Sequence, residues 1–397
     1  MASELVVQKY GGATLADPQK IKQVAARLSQ LSKSGKKVIA VVSAMGQSTN
    51  ELIQLAQQVS SNPNGRELDM LLSTGERVSM SLLSMALHDL NCSAISFTGS
   101  QAGILTSDSH LSAYIIDVRA PRVEQALGEG KIVVLAGFQG VSPVSKEITT
   151  LGRGGSDITA IAIAAAMKAT HCEILKDVDA VFSADPKLVP AARPLRQLSY
   201  RQMMEMTFWG AKVLNYRSVE LAFRCQLPLY IGPASHQHEG TWIRKEELMY
   251  ESVEVLGINS HDLVLQIEGA QENLGLVLKQ FEETLQENEI AAPQVLNVSR
   301  NGGKSQVLVT GSTEILDLIQ RELKTSSQFQ LSNKELSAVS VTCTGSFGTE
   351  MPKRIATTLA QKKIEIHSML LSPMSVIVLV ERRQKDSAIQ ALHALTQ

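Results

Sequence analysis

Four charged residues stand where they could handle a phosphate and a small acid: Lys9, Glu76, Arg153 and Asp157. Lys9 directly precedes Tyr10-Gly11-Gly12, so its ammonium could reach phosphoryl oxygens held at the glycines. Arg153 and Asp157 belong to Thr149-Thr150-Leu151-Gly152-Arg153-Gly154-Gly155-Ser156-Asp157. Paired glycines there let the backbone approach a ligand closely, and the helix start that follows offers N–H groups and a positive dipole end to phosphate. Arg153 adds a planar fork for a carboxylate or phosphate, and Ser156 and Asp157 can cap the helix or touch the ligand. A packed loop–helix junction would read the same way, and Lys9 alone would pass for an exposed strand-end lysine. Glu76 opens a helix, where a negative charge suits the dipole with or without a ligand.

The elements that must position these groups alternate. Leu5-Val6-Val7 reads as a strand, and Asp17-Pro18 opens a helix with Ile21, Val24, Ala25 and Leu28 on one face. Residues 37–43 are nearly all β-branched, as in a central strand covered on both sides. Ser43, Thr49 and Asn50 follow it and are candidate polar contacts, or plain caps for a helix from Glu51 to Val59. A helix after Leu71 should turn Val78, Leu82, Leu83 and Leu87 inward. Strand 94–97, a surface hairpin in 103–118, helix 119–127 and strand 132–138 lead to the glycine-rich stretch. The small apolar run from Ile158 to Met167 reads as a buried helix. Strand 173–175, helices 199–208 and 216–224 and strand 228–231 complete an α/β domain with a mainly parallel sheet.

Lys+Arg total 38 against Asp+Glu 39, a net charge of −1, which argues against a general nucleic-acid or membrane-surface binder. The four cysteines form no CxxC pair, no apolar run approaches the roughly 20 residues of a membrane span, and no Walker A pattern occurs. No basic segment followed by an apolar core opens the sequence, so a cytoplasmic protein is expected. Residues 233–246 read as a linker. His236 and His238 there form an HxH pair that nothing nearby completes, so no protein-held metal is expected. From about residue 250 the order changes: strands 253–258 and 263–268, helix 273–287, strands 293–299 and 305–309, helix 312–323. Strand 337–342, helix 350–361, strands 364–370 and 374–380 and helix 385–395 then repeat it. This reads as a duplicated βαββαβ unit.

Six blocks carry a family resemblance: Lys9-Tyr10-Gly11-Gly12, Val42-Ser43-Ala44-Met45-Gly46, Leu72-Ser73-Thr74-Gly75-Glu76, Thr149 to Asp157, Asp177 to Pro186, and Gly210-Ala211-Lys212-Val213-Leu214. In this order they resemble the aspartate kinase family, and the C-terminal repeats are similar to its paired ACT regulatory domains. The resemblance implies a three-layer α/β/α amino acid kinase fold followed by two ferredoxin-like ACT units. The expected divisions are 1–235 for the catalytic domain, 236–249 for the linker, and 250–330 and 331–397 for the ACT-like units. It implies transfer of the ATP γ-phosphoryl to the side-chain carboxylate of L-aspartate, with Mg2+ carried by ATP. That is the first step toward lysine, threonine, methionine and diaminopimelate. By the same resemblance Lys9 stabilises the phosphoryl in flight and Asp157 orients Lys9. Gly11, Gly12, Gly154 and Gly155 donate to phosphate. Arg153 holds the substrate α-carboxylate, Glu76 faces its α-ammonium, and Ser43, Thr49, Phe138 and Ser156 lie on the substrate side. Asp177, Phe182, Asp185, Lys187 and Lys212 serve the nucleotide. A homodimer or higher oligomer formed through the ACT units, and an amino-acid effector, are also implied.

Several positions depart from the family pattern. Ala13 stands for threonine and removes a hydroxyl near the substrate, although Thr14 keeps one beside it; Lys176 stands for threonine, Phe182 for tyrosine and Lys187 for arginine. Asn215-Tyr216 replaces the usual His-Pro. In the ACT units, Ser372-Pro373-Met374 replaces the usual serine-glutamate-isoleucine turn, and Asn273-Leu274-Gly275 and Glu350-Met351-Pro352 replace the usual glycine-valine-alanine helix starts, all where family effectors bind. The changes in 176–187 are expected to bear on adenine-side contacts, and those in the ACT units to weaken feedback. The competing readings are a kinase of the same fold for another small acid, such as glutamate or acetylglutamate, and a weakened ligand-sensing paralogue.

Overall fold

The fold is taken from a computed structural model that describes residues 4–61, 63–235, 239–246, 253–269, 274–287, 292–301, 304–325 and 329–396. His236, His238 and Asn273 therefore lie outside the described residues. The chain divides into two compact units. The first holds Met1–Val181, Pro194–Thr207 and Lys212–Met249, and the second holds Phe182–Arg193, Phe208–Ala211 and Tyr250–Gln397.

The first unit begins β1 (Leu5–Tyr10), α1 (Pro18–Lys33), β2 (Lys37–Val42), α2 (Ser48–Val59), α3 (Gly65–Leu72), α4 (Thr74–Asp89) and β3 (Ala94–Phe97). It continues through β4 (Ile104–Thr106), β5 (Ile115–Val118), α5 (Pro121–Gly128), β6 (Ile132–Ala136), β7 (Gln139–Val141), β8 (Ile148–Thr150), α6 (Gly155–Ala166) and β9 (Cys172–Lys176). The short strands β10 (Val181–Phe182) and β11 (Pro194–Leu195) flank the first excursion into the other unit, and β12 (Gln197–Ser199), α7 (Tyr200–Phe208), α8 (Tyr216–Cys225), β13 (Leu229–Pro233) and β14 (Thr241–Arg244) finish the series.

Eight strands form one sheet in the order β12-β14-β13-β9-β1-β2-β6-β3, parallel except where β13 meets β14. The central strands read as apolar runs because helices cover both of their faces. Asp17 caps α1 by accepting from the Lys20 N–H at 2.9 Å, and Ile21, Val24, Ala25 and Leu28 are buried as expected. A second sheet, β5-β4-β7-β8, contains the expected hairpin as β4 against β5.

Three expectations are corrected. Val78 and Leu82 on α4 are 51% and 38% exposed. The buried face instead runs through Gly75, Glu76, Ser79, Met80, Leu83 and Leu87. The start of α4 packs too tightly for bulk there: a Cβ on Gly75 would lie 2.8 Å from that of Ala44. The 236–249 stretch is not all linker, because Thr241–Arg244 is a strand of the main sheet with Thr241 fully buried. The segment Ser48–Val59 starts before Glu51, and its N-cap residue is Gln47, so Thr49 and Asn50 sit inside α2 rather than capping it.

The second unit contains β15 (Val255–Gly269), α9 (Leu274–Glu287), β16 (Gln294–Asn301), β17 (Lys304–Thr310), α10 (Thr313–Thr325), β18 (Phe329–Leu331), β19 (Leu336–Cys343), α11 (Glu350–Gln361), β20 (Ser368–Leu371), β21 (Ser375–Glu381) and α12 (Lys385–His393). The two strands expected at 253–258 and 263–268 are one long strand, β15, with a register shift between His261 and Val264. Its first half pairs with β19, and its second half pairs with β17 and β18. The second βαββαβ copy, with β19, β20 and β21, thus takes its fourth strand from the first half of β15, which precedes the first copy. Two excursions from the first part of the chain join this unit's cores: Ala184 and Val189 pack with Val339, Ile355 and Leu392, and Trp209 with Val264, Leu336 and Leu379.

Candidate active site

Strand register delivers Lys9. In the β1–β9 pairing Lys9 lies opposite Ile174, so their side chains share one face of the sheet. Helix α6 covers that face, and Asp157 in its first turn meets the lysine. Lys9 Nζ lies 2.6 Å from Asp157 Oδ1, with side chains 7% and 2% exposed. Two residues beyond Ile174 on the same face comes Lys176. Its Nζ lies 3.0 Å from Asp157 Oδ2 and donates to the carbonyl of Val213 at 2.6 Å. One carboxylate is therefore shared by two ammonium groups. Burial alone would push the Asp157 carboxyl up, but Lys9 and Lys176 pull it below its ordinary value. Burial presses the Lys9 ammonium down, with Asp157 opposing and Lys176 adding to the effect. Lys176 thus belongs to this charge cluster.

The glycines stand around the pair. Gly11 N–H donates to the Leu175 carbonyl at 3.1 Å, which fixes the end of β1 against β9. A Cβ on Gly12 would lie 2.9 Å from the Ala44 carbonyl oxygen and 3.2 Å from that of Gly46, so the backbone after β1 runs directly against the turn after β2. On the other strand end, Gly152 and Gly154 adopt φ of +73° and +76°. Gly154 is the N-cap of α6, and neither Ser156 nor Asp157 caps it. The Asp157 carboxylate is committed to the lysines, while the N–H groups of Gly155 and Asp157 donate to the carbonyls of Gly152 and Gly154 at 2.9 and 3.0 Å. A Cβ on Gly137 would strike Ser156 at 2.8 Å, which shows how closely the end of β6 meets this helix. Phe138, next in line, is held at φ +69°, a conformation that costs a non-glycine residue of order 1–3 kcal/mol. Its N–H donates to Thr159 Oγ1, and its carbonyl accepts from the Leu151 N–H.

Glu76 supplies a different electrostatic feature. It is 3% exposed, and its Oε1 accepts from the Ala44 N–H at 3.1 Å. Its Oε2 is buried and has no hydrogen-bond partner within the protein. Burial pushes the carboxyl up to about 7, against the Ala44 N–H, its own N–H and the charge of Lys9. Such an orphan acceptor suits a ligand cation. Ser43, half-buried at the end of β2, donates its N–H to the Tyr10 carbonyl, and Thr49 is half-buried in the first turn of α2. Arg153 is exposed on the glycine turn, and Ala13 is exposed beside half-buried Thr14. Asp177 is exposed after β9, and Lys212 heads the loop into α8. Phe182, Asp185 and Lys187 lie on the segment that belongs to the second unit, where Asp185 Oδ1 accepts from the Lys187 N–H at 2.9 Å. Among the described residues no group of His, Cys, Asp or Glu could hold a metal ion, and no helix is long and apolar enough to cross a membrane.

Sequence reasoning missed a third buried carboxylate, beside Asp157 and Glu76. Asp69 on α3 is fully buried and accepts from Thr150 Oγ1 at 2.5 Å and from the Leu111 N–H at 3.2 Å; His110 Nδ1 lies 2.7 Å away. It joins α3 to the loop before Tyr114 and to the strand that enters the glycine turn. Arg217 secures the same loop, donating to the carbonyls of Leu151 at 2.9 Å and Ala113 at 2.7 Å while stacking on Tyr114. The available signal was an aspartate three residues before Leu72 on the buried face of an amphipathic helix.

The amino acid kinase family model matches residues 4–233. Aspartokinase from Mycolicibacterium smegmatis is 41% identical, over 98% of this chain and 95% of that protein. Aspartokinase from Geobacillus stearothermophilus is 37% identical over 98% and 96%. In fold, the chain is similar to E. coli aspartokinase III crystallised with aspartate and ADP, at a TM-score of 0.79 and 21% identity, covering 98% of this chain and 99% of the other. The matched length takes in both units rather than the glycine-rich unit alone, and the chain belongs to the amino acid kinase family, among its aspartokinases.

Proposed function

We propose that this chain is an aspartate kinase, which transfers the γ-phosphoryl of MgATP to the side-chain carboxylate of L-aspartate to give 4-phospho-L-aspartate and ADP. The observation that carries the substrate assignment is Glu76. A buried carboxylate with one unpartnered oxygen, close enough to Lys9 to feel its charge, suits an α-ammonium beside a phosphoryl-transfer centre. Arg153 is the partner for the α-carboxylate, and Ser43, Thr49, Phe138 and Ser156 line the substrate side. The nucleophile is already an anion, so no strong general base is required. Catalysis then rests on alignment and charge. Lys9 follows the charge that builds on the transferring phosphoryl, and Asp157 fixes its position. Gly12 and Gly154 offer backbone donors to the phosphates, whereas the N–H groups expected to do so at Gly11 and Gly155 are spent on the carbonyls of Leu175 and Gly152. Asp177 and Lys212 stand on the nucleotide side. The roles of Phe182, Asp185 and Lys187 toward the nucleotide rest on the resemblance. Magnesium enters with ATP.

The second unit is read as the seat of self-association and effector binding. Its sheet runs β16-β17-β15-β19-β21-β20, leaving β16 and β20 as edges. Val295 and Leu371 on those edges are 43% and 62% exposed, which favours pairing with another copy.

The test is ADP release by the purified full chain with aspartate, glutamate and acetylglutamate in turn, with hydroxamate trapping of the acyl phosphate. Strong preference for aspartate is expected. Preference for either other acid would replace the substrate assignment.

A further inference from the structure

Lys176 is the residue that the established fold leaves unexplained. It stands where the family resemblance leads one to expect threonine, and it places a second ammonium at the carboxylate that holds Lys9. We propose that Lys176 is a second catalytic cation, which contacts the terminal phosphates of ATP from the Oδ2 side of Asp157. This assignment rests on the kinase reading above and extends it to a position where the chain departs from the family pattern.

Three observations support it. The β1–β9 register places Lys176 on the same sheet face as Lys9, two residues past the position opposite it. Its stem runs beside the phosphate-side backbone: a Cβ on Gly11 would lie 3.8 Å from Lys176 Cγ and 3.8 Å from Lys9 Nζ. Its side chain is 20% exposed against 7% for Lys9, so it is the more open of the two cations. An ammonium has three donors, and Asp157 and the Val213 carbonyl take two of them.

The charge balance gives the group a task. Lys9, Asp157 and Lys176 together carry one net positive charge, where Lys9 and Asp157 alone would cancel. As the aspartate oxygen bonds to the γ-phosphorus, the bond from that phosphorus to the β–γ bridging oxygen breaks. Its electron pair stays on the ADP oxygen, and no proton need move. A donor that strengthens its bond to that oxygen in the transition state speeds the step. Lys9 and Lys176 can divide this work by donating to different oxygens of the γ-phosphoryl as charge redistributes over it and the leaving oxygen.

A purely structural tether is the competing role, since Lys176 joins the start of α6 to the loop at Val213. Three variants separate the two: Lys176→Met, Lys176→Arg and Lys176→Thr. Lys176→Met should lower kcat roughly 10- to 100-fold, less than loss of a fully enclosed donor. Aspartate affinity by calorimetry should stay within about twofold of the native value, and Lys176→Arg should recover much of the rate. Non-hydrolysable ATP should lose more affinity than ADP, because only the former carries a γ-phosphate. Equal losses for both nucleotides, or kcat within twofold of the native protein in Lys176→Met, would overturn the assignment. If the methionine variant does not fold, the threonine and arginine variants carry the same comparison. A native protein that releases no ADP with aspartate would instead overturn the substrate reading, and the nucleotide calorimetry would still decide the role of Lys176.

Discussion

Lys9 Nζ sits 2.6 Å from Asp157 Oδ1, in a pair almost sealed from water. Removing one member of a buried pair strands the other, so the two positions should not behave alike. Lys9→Ala should cut kcat by on the order of 10²–10³-fold with little change in aspartate KM. Asp157→Asn should keep the fold and reduce kcat, because Lys9 and Lys176 would then repel across a neutral amide. Steady-state kinetics with a melting curve for each variant checks both.

Glu76 carries the pH dependence. Its carboxyl titrates at about 7, raised from 4.5. Folded, it binds its proton more tightly than unfolded, so its cost to stability is absent below about 4.5, grows as pH rises, and is complete above about 7. Glu76→Gln should therefore raise Tm at pH 8–9, with little effect near pH 4. The same substitution should weaken aspartate use severely. In the native enzyme, kcat/KM for aspartate should climb as pH rises through about 7, and this limb should vanish in the variant. A native profile flat from pH 6 to 8 would contradict the role.

Gly12→Ala tests the phosphate loop. The new Cβ would meet two carbonyl oxygens of the 44–46 turn, so the turns must part. A loss of roughly 1–3 kcal/mol is expected from overpacking alone. Because the glycine also faces the proposed phosphate site, ATP KM should rise while aspartate binding is largely kept. Urea unfolding and initial rates measure the two effects.

Asp69→Ala should destabilise by roughly 2–4 kcal/mol, because Thr150, His110 and the Leu111 N–H lose one shared acceptor. Gly152 packs against the loop that Asp69 anchors: a Cβ there would lie 3.0 Å from the Leu111 carbonyl oxygen. Loosening that loop frees the turn bearing Arg153, so aspartate KM should rise more than ATP KM. Equal changes in both would leave Asp69 a stabiliser of the fold alone.

Regulation by amino acids should be weak. The Ser372–Ser375 turn spends its donors on itself: Ser372 N–H donates to the Ser375 carbonyl and Ser375 N–H to Ser372 Oγ, both at 2.9 Å. Pro373 has no N–H to offer. Lysine, threonine and methionine, singly and in pairs, should lower activity little at low millimolar concentration, and light scattering should report at least a dimer.

The elements nearest the chemistry were legible because local signals agreed there. Asp17-Pro18 marks the start of α1, the small apolar run gives α6, and the glycines mark both turns. What remained hidden depended on partners distant in sequence. The register that brings Lys176 beside Lys9 is a property of two strands more than 160 residues apart. The face of α4 is set by how closely Gly75 approaches Ala44, which overrides the pull of Val78 and Leu82 toward the interior. Strand β14 was obscured by its His-, Gly- and charge-rich flanks. The long strand β15 was obscured because Asn259-Ser260-His261-Asp262 reads as a break when only its polarity is considered.

The interleaved segmentation of the two units sets terms for anyone recombining this gene. Phe182–Arg193 and Phe208–Ala211 precede residue 250 yet supply Ala184, Val189 and Trp209 to the cores of the C-terminal unit. A stop codon after residue 249 would leave those side chains without their packing, and a fragment begun at 250 would lack them. Neither half is a transplantable cassette. A working chimera must exchange three stretches of coding sequence together, so the two units are bound to diverge as one inherited block.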